Sequence, residues 1–310
     1  MGTFHLECIS LETGNPIPMP EKTLLCLGNF DGVHFAHRKL LSSAIAWQEQ
    51  YCPKATVGVF CFRELPARLL DASFQGRLCT TEQRLERFRS CGVKFAVLAD
   101  FSELRNLSAE NYIRDVLVDS CHAVAVACGY NHRFGKGGTG SASLLQEFFG
   151  ASVFLQEPIK IGEETVSSSR IRCLLQRGFP DEAAQLLTVP YEINAEVLHG
   201  KSLGSRMGTP TVNQRFPEDA VIPKYGVYVT ECQVDGKIFR GVTNVGVRPT
   251  VNDGGGVNFE TYLLDFSGDL YGRAVTVRFL KYLREEKRFE SQDALWRQIN
   301  EDIQSARMYR

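Results

Sequence analysis

An apolar run that breaks into a polar turn and resumes as a helix constrains this chain more than any other stretch. Thr23 to Leu27 reads as a short buried strand, Gly28-Asn29-Phe30-Asp31-Gly32-Val33-His34-Phe35-Ala36-His37 as the turn, and Arg38 to Trp47 as the helix that follows. A strand feeding directly into a helix opens an α/β unit. Backbone N–H groups at a helix start lack intrahelical partners and sit at the positive end of the helix dipole, so the junction suits an anion, with phosphate the expected guest. His34 and His37 fall on one face of the first turn. The dipole disfavours their protonation, which makes both of them neutral hydrogen-bond donors to phosphate oxygens. A zinc pair and two ordinary surface histidines are the competing readings, and zinc wants three or four ligands where no third stands at a recognisable spacing.

Downstream the alternation continues. Ala55 to Phe62 reads as a strand, Thr80 to Cys91 as a helix, Val93 to Leu98 as a strand, Ser108 to Leu117 as a helix and Ala123 to Cys128 as a strand. This predicts a parallel sheet covered by helices, a Rossmann-like nucleotide-binding layer whose ligands gather at the carboxyl ends of the strands. The glycine-rich segment Gly129 to Gly140 contains a literal G-x-G-x-x-G at residues 135 to 140, but it begins several residues after its strand, which argues against a dinucleotide fingerprint. It reads as a flexible loop or as a loop over nucleotide or flavin. The cluster Ser167-Ser168-Ser169-Arg170-Ile171-Arg172 offers hydroxyls and guanidiniums that suit either a helix cap with solvated charges or a triphosphate.

After the helical Asp181 to Leu187 the texture changes. β-runs at Glu192 to Leu198, Val227 to Val234, Lys237 to Val245, Phe259 to Leu264 and Ala274 to Tyr282, with a hairpin signal at Asp235-Gly236, predict a small antiparallel barrel. A final helix opening at Ser291 aligns Leu295, Ile299 and Ile303 as a face to pack on it. Two domains follow, 1–187 and 188–310. Gly200-Lys201-Ser202 superficially resembles a P-loop, but Ala195 stands where that motif needs its first glycine. The loop, with Gly204, Arg206 and Gly208, can still present backbone N–H groups to phosphates. Thr211 and Asn213 alternate along one extended segment and point the same way, as either an exposed strand edge or a pair of oxygen ligands for Mg²⁺. Glu260, acidic within a β-run, is either half-exposed on the polar face or catalytic.

Composition narrows the class. A chain of 310 residues that is 44% hydrophobic can bury a large core, and its net charge of −1 sets up no field that attracts nucleic acid. No apolar run approaches the ~20 residues that cross a bilayer, so no membrane association and a cytoplasmic location are expected. The ten cysteines are scattered without a C-x-x-C pair, which predicts reduced, mostly buried thiols. The sequence leaves oligomeric state open.

The strand–turn–helix stretch resembles the nucleotidyltransferase signature of the bacterial bifunctional riboflavin kinase/FMN adenylyltransferase family, G-N-F-D-G-V-H-x-G-H; Gly28 to His34 match it and Ala36 replaces the second glycine. The resemblance implies phosphate binding by Gly28, Asn29 and Asp31 with His34 and His37 as catalytic donors. A family G-x-(D/N)-F-x-F-G segment is similar to Gly129 to Gly135, which implies flavin binding at Asn131, and S-S-T-R-I-R is similar to Ser167 to Arg172, which implies ATP phosphates on Ser168, Ser169 and Arg170. In the second half G-F-P-T-A-N resembles Gly208 to Asn213, with Thr209 and Val212 as replacements, and implies Mg²⁺ on Thr211 and Asn213. Glu260 falls at the family's base for the riboflavin 5′-hydroxyl, and Arg284, Lys287 and Phe289 resemble a segment that closes near the flavin. Substrates would be riboflavin, FMN and ATP. Leu65 stands where the family carries a histidine in F-x-P-H-P, and Tyr262 where it commonly has another. Rival readings are a kinase with a weak or inactive adenylyltransferase half, and a non-enzymatic flavin-binding regulator.

Overall fold

The β-rich apolar runs of the first half form one parallel sheet because nearly every residue in them is buried on both faces. The computed structural model describes residues 6–11, 17–198, 211–247 and 256–309. The chain folds as two compact units, Met1–Phe74 with Thr80–Ser167, and Gln75–Cys79 with Ser168–Arg310.

In the first unit the strands are β1 (Glu7–Leu11), β2 (Thr23–Leu27), β3 (Thr56–Phe62), β4 (Phe95–Ala99), β5 (Ala123–Gly129) and β6 (Val153–Gln156), in the order β1-β4-β3-β2-β5-β6. Every neighbouring pair is parallel. All five residues of β2 are buried, which is what a strand covered on both faces requires. Helix α1 (Phe35–Tyr51) follows β2, and α2 (Thr81–Ser90) precedes β4 behind a capping box between Thr80 and Gln83. The segment read as a helix over 108–117 is Ala109–Asn111 continued by a π-helical stretch, Tyr112–Ser120. Two apolar clusters line the two sheet faces, one around Leu25, Val97 and Ile113, the other around Leu24, Phe30 and Phe88.

The second unit opens with α3 (Ser168–Arg177) and α4 (Pro180–Leu187). Six antiparallel strands follow: β7 (Tyr191–Glu196), β8 (Thr211–Arg215), β9 (Gly226–Val234), β10 (Lys237–Val247), β11 (Val257–Leu263) and β12 (Ala274–Arg284), ordered β7-β12-β9-β10-β11-β8. The two end strands meet through the Leu198 N–H donating to the Asn213 carbonyl at 2.8 Å and the buried Gln214 amide donating to the carbonyls of Ala195 (2.6 Å) and Val275 (2.8 Å). That side-chain stitch closes the curl into a barrel. Within it the hydroxyls of Thr230, Thr243 and Thr261 form a buried chain, 2.7 and 2.8 Å per link. Helix α5 (Gln292–Met308), capped by Ser291, packs on the barrel. Its buried positions are Asp302, bonded to Arg284, and Ala306, while Leu295, Ile299 and Ile303 are half-buried, Ile303 packing on the cluster of Val229, Leu264 and Leu280. All ten cysteines are free, and six are buried.

Candidate active sites

Strand order supplies what the linear sequence could not. The chain runs outward from β2 to β3 and β4 on one side and then crosses back to place β5 on the other, so the order reverses between β2 and β5. Crevices at such switch points, outside the carboxyl ends of the strands, are where open α/β sheets bind ligands. Leu27 is in register with Cys128, so the turns that start at Gly28 and Gly129 leave the sheet side by side.

The first of these turns is tightly wound. Phe30, Gly32 and Val33 all have positive φ (52°, 79° and 41°), and the Val33 N–H donates to the Phe30 carbonyl at 3.0 Å. Two non-glycine residues hold this left-handed geometry because their side chains are core: Phe30 is buried edge-on against Phe88 at 5.3 Å, and Val33 is fully buried. A Cβ at Gly28 would stand 3.1 Å from the Phe30 ring, so the glycine lets that ring seat. His34 caps α1, its Nδ1 accepting from the His37 N–H at 3.4 Å, and the two imidazoles stack at 3.6 Å with 13° between their planes. His37 also packs 5.1 Å from Phe30, and its buried Nδ1 has no hydrogen-bond partner among the described residues. Its imidazole is held well below the ordinary histidine range, first by burial and then by the neighbouring His34. For His37 the neutrality expected from the helix dipole thus has burial and the neighbouring imidazole as its causes. Asp31 and His34 are buried, and Asn29 is exposed at the crest.

Two residues that sequence reasoning missed lie beneath this turn. Arg84 of α2, 3% exposed, donates to the carbonyls of Asn29 (2.9 Å), Phe62 (2.8 Å) and Arg63 (2.9 Å), and Arg87 one turn on donates to the Gly32 carbonyl at 2.9 Å. The sequence signal is a helix with two arginines on the side of Phe88, the apolar face. The segment after β3 therefore hangs from Arg84 at its carbonyls, and Leu65 caps the short helix Pro66–Leu70 without a side-chain hydrogen bond.

The second turn is anchored, not free. Gly135 has φ 71°, and a Cβ there would meet the Ala109 backbone at 2.7 Å; the Lys136 N–H donates to the Leu107 carbonyl at 2.7 Å. Phe134 is buried against Tyr112 at 5.3 Å, with His132 stacked beyond it at 5.8 Å and Asn131 exposed. Ser168, Ser169 and Arg170 start α3 of the second unit, where Arg172 donates to the Gly76 carbonyl at 2.6 Å.

In the barrel the ladder register makes the second site. Asn213 of β8 lies opposite Glu260 of β11, which lies opposite Asn244 of β10, so an amide, a carboxylate and an amide form one cross-strand row. Thr211 lies opposite Tyr262, two residues along each strand and therefore on the same face. Thr211, Asn213 and Glu260 are half-buried while Val212 and Gln214 between and beyond them are buried, as alternation requires. The Asn244 amide donates to Glu286 at 2.8 Å. Nothing in the sequence around Asn244 or Tyr262 gives either a role; strand pairing alone reveals both as neighbours of the proposed base and metal ligands. Arg284 is committed to Asp302 through its Nε (3.0 Å) and Nη2 (2.7 Å), stands 5.8 Å from the Phe289 ring, and leaves Lys287 exposed. Gly204, Arg206 and Gly208 lie outside the described residues. Among the described residues no group of three His, Cys, Asp or Glu could hold a metal, and no helix is long and apolar enough to cross a membrane.

A polar strand-to-helix turn at the switch point of a parallel sheet and a barrel with a polar cross-strand row are the two units that the comparisons match to a transferase of phosphorus-containing groups. A family model described as FAD synthetase matches residues 17–170, and one described as riboflavin kinase matches residues 187–310. The chain is 35% identical to the bifunctional riboflavin kinase/FMN adenylyltransferase of Pseudomonas fluorescens over 91% of each chain. Against the proteins so named from Escherichia coli K12 and Bacillus subtilis it is 35% identical (93% of each chain) and 30% identical (93% of this chain, 92% of the other). A solved structure from Streptococcus pneumoniae described as a macrolide-efflux protein is similar with a TM-score of 0.90 and 26% identity, over 98% of this chain and 100% of that one. The chain belongs to the bifunctional riboflavin kinase/FMN adenylyltransferase family.

Proposed function

We infer that the chain phosphorylates riboflavin to FMN with one ATP and adenylylates FMN to FAD with another. The cross-strand row Asn213–Glu260–Asn244, with Thr211 on the same face, carries this reading. We assign the kinase to residues 188–310 and adenylyl transfer to residues 1–187. In the kinase step Glu260 accepts the proton of the riboflavin 5′-hydroxyl as that oxygen bonds to the γ-phosphorus of ATP, and ADP leaves with the bridging oxygen. Such transfers pass through a loose transition state, so Glu260 chiefly orients the hydroxyl. Thr211 and Asn213 would hold Mg²⁺. A hydroxyl and an amide oxygen beside a single carboxylate fit a hard cation that keeps waters and shares the phosphates of ATP. When bound, that ion neutralises charge on the transferring phosphates. Arg284, clamped by Asp302, fixes Phe289 as an apolar contact for the flavin, with Lys287 as a nearby cation, and Gly204, Arg206 and Gly208 complete the phosphate loop.

In the second step a phosphate oxygen of FMN bonds to the α-phosphorus of ATP and pyrophosphate leaves. His34 and His37, prealigned by stacking and with His37 kept neutral by burial, donate to the oxygens on which charge grows. Gly28, Asn29 and Asp31 position the phosphates, Ser168, Ser169 and Arg170 engage the triphosphate, and Asn131 contacts the flavin. Ala36 and Leu65 depart from the family pattern, so this step lags the kinase and FMN accumulates first. Ten free thiols fit a reducing cytoplasm. The test is chromatography of flavins after incubation with riboflavin, ATP and Mg²⁺, and separately with FMN, ATP and Mg²⁺. FMN followed by FAD is the expected sequence; FMN alone after long incubation leaves a kinase with a nucleotide-binding remnant, and no turnover of riboflavin leaves a flavin-binding regulator.

A further inference from the structure

Arg84 is a buried cation whose hydrogen bonds, among the described residues, all go to uncharged oxygens: the carbonyls of Asn29, Phe62 and Arg63, and the Thr81 hydroxyl. Its Nε is buried without a partner among the described residues. Burying a charge without a counter-ion is costly, and a neutral donor could tie the same carbonyls with less desolvation. The hydrogen bonds account for the fork of the side chain; they do not account for its charge. Arg87 holds the Gly32 carbonyl of the same turn, in which the carboxylate of Asp31 is also buried, while the nearby Glu86 faces outward and pairs with Arg89 at 2.5 Å. The ends of β2 and β3 are thus tied by the Arg84 guanidinium, and in the first turn of α1 His37 has a buried ring nitrogen that lacks a partner among the described residues.

We propose that Arg84 is a positioning residue for adenylyl transfer: its fork locks the carboxyl ends of β2 and β3 to each other, and the triphosphate bound on the turn supplies an anion to a guanidinium that no carboxylate of the described residues hydrogen-bonds. The proposal rests on the reading that this turn takes phosphates. It assigns Arg84 two separable contributions. Charge, felt through the turn, sets anion affinity; the fork, holding three carbonyls at once, sets the geometry in which His34 and His37 meet the α-phosphate. Lysine keeps the first and loses the second, because one ammonium on a flexible stem cannot reproduce a planar fork.

The experiment uses the full chain with labelled histidines, of which there are six. Pyrophosphate is titrated while the imidazole resonances of His34 and His37 are followed, and the rates of FMN adenylylation and riboflavin phosphorylation are measured on the same preparations. Arg84→Gln should weaken pyrophosphate binding by about ten-fold or more, from the loss of a unit charge at short range in a protein-like dielectric, and lower the adenylylation kcat by a similar factor. Arg84→Lys should keep pyrophosphate affinity within about three-fold yet lose about ten-fold in kcat. Riboflavin phosphorylation, which belongs to the other unit, should stay within about two-fold, and an unfolding transition of the first unit like that of the wild type, read from the fluorescence of Trp47 in a Trp296→Phe background, reports that the unit carrying the substitution is folded. Unchanged affinity and unchanged kcat in folded Arg84→Gln would overturn the proposal. If Arg84→Gln does not fold, Arg84→Lys decides alone: an unaltered kcat overturns it, and a kcat loss at retained affinity supports it. Wild-type protein that binds pyrophosphate at these histidines but makes no FAD refutes the adenylyltransferase reading; Arg84→Gln then still tests the charge, and retained affinity overturns the proposal. Wild-type protein whose histidines ignore pyrophosphate overturns both.

Discussion

The turn after β2 and the row across β8, β11 and β10 place polar groups for related chemistry by opposite means. The turn is irregular backbone, with three residues of four at positive φ, held by a buried phenyl ring from above and by two guanidiniums from below. The row is regular backbone, where a two-residue side-chain period and antiparallel register bring Asn213, Glu260 and Asn244 abreast with no strain. An irregular site can wrap an anion in backbone N–H groups but depends on distant braces. A ladder site depends on little beyond its strand pairing, so it tolerates change outside its own face. Mutations should therefore separate the two units by activity and by the kind of damage.

The largest expected separation comes from Glu260→Gln, which should lower FMN formation by about 10²-fold or more while adenylylation of supplied FMN stays near wild type. Equal loss of both activities in a folded variant would break the two-site comparison. Next, Leu65→His should speed the adenylyl step and narrow its lag behind the kinase. Loss of one preorganised donor typically costs about 10²- to 10³-fold, an upper bound on the gain, since Arg84 already fixes the neighbouring backbone. An unchanged ratio of FMN to FAD over time would remove Leu65 from the explanation.

Thr211→Ala and Asn213→Ala should each raise the Mg²⁺ concentration that half-saturates the kinase, by several-fold, and leave that of adenylyl transfer unaltered. Flat titrations would take both residues out of the metal site. A stability contrast comes from the hydroxyl chain in the barrel. Thr243→Val strands the hydroxyls of Thr230 and Thr261 and should cost about 1–3 kcal/mol by denaturant unfolding, whereas replacing all three threonines with valine should cost less than the single change. The smallest effect concerns pH. Burial holds the His132 imidazole down to about 4, against 6.5 ordinarily. The unfolded chain then takes up the proton first, so this contribution to stability is complete above pH 6.5 and drains away as pH falls toward 4. His132→Phe should flatten that part of the loss, visible as a smaller difference between urea midpoints at about pH 7 and about pH 4.5.

The sequence by itself determined the class of each half, the strand–turn–helix junction and the shared face of Thr211 and Asn213 on one extended segment. Those features are local: a period of two or 3.6, a glycine where φ must be positive and a cap before a helix are each written in a few adjacent residues. As bare sequence Arg284, Lys287 and Phe289 read as a solvated turn, and nothing in them shows that Asp302 from α5 claims the guanidinium. Only the tertiary structure decided which turns share a crevice, because strand order, and with it the switch point between β2 and β5, follows from crossovers that leave no mark on either strand. The same holds for Arg84 under a turn 55 residues away, for Asn244 abreast of Glu260, and for Gln214 closing the barrel. Each is a polar residue whose meaning lies in a partner far along the chain, and only packing selects that partner.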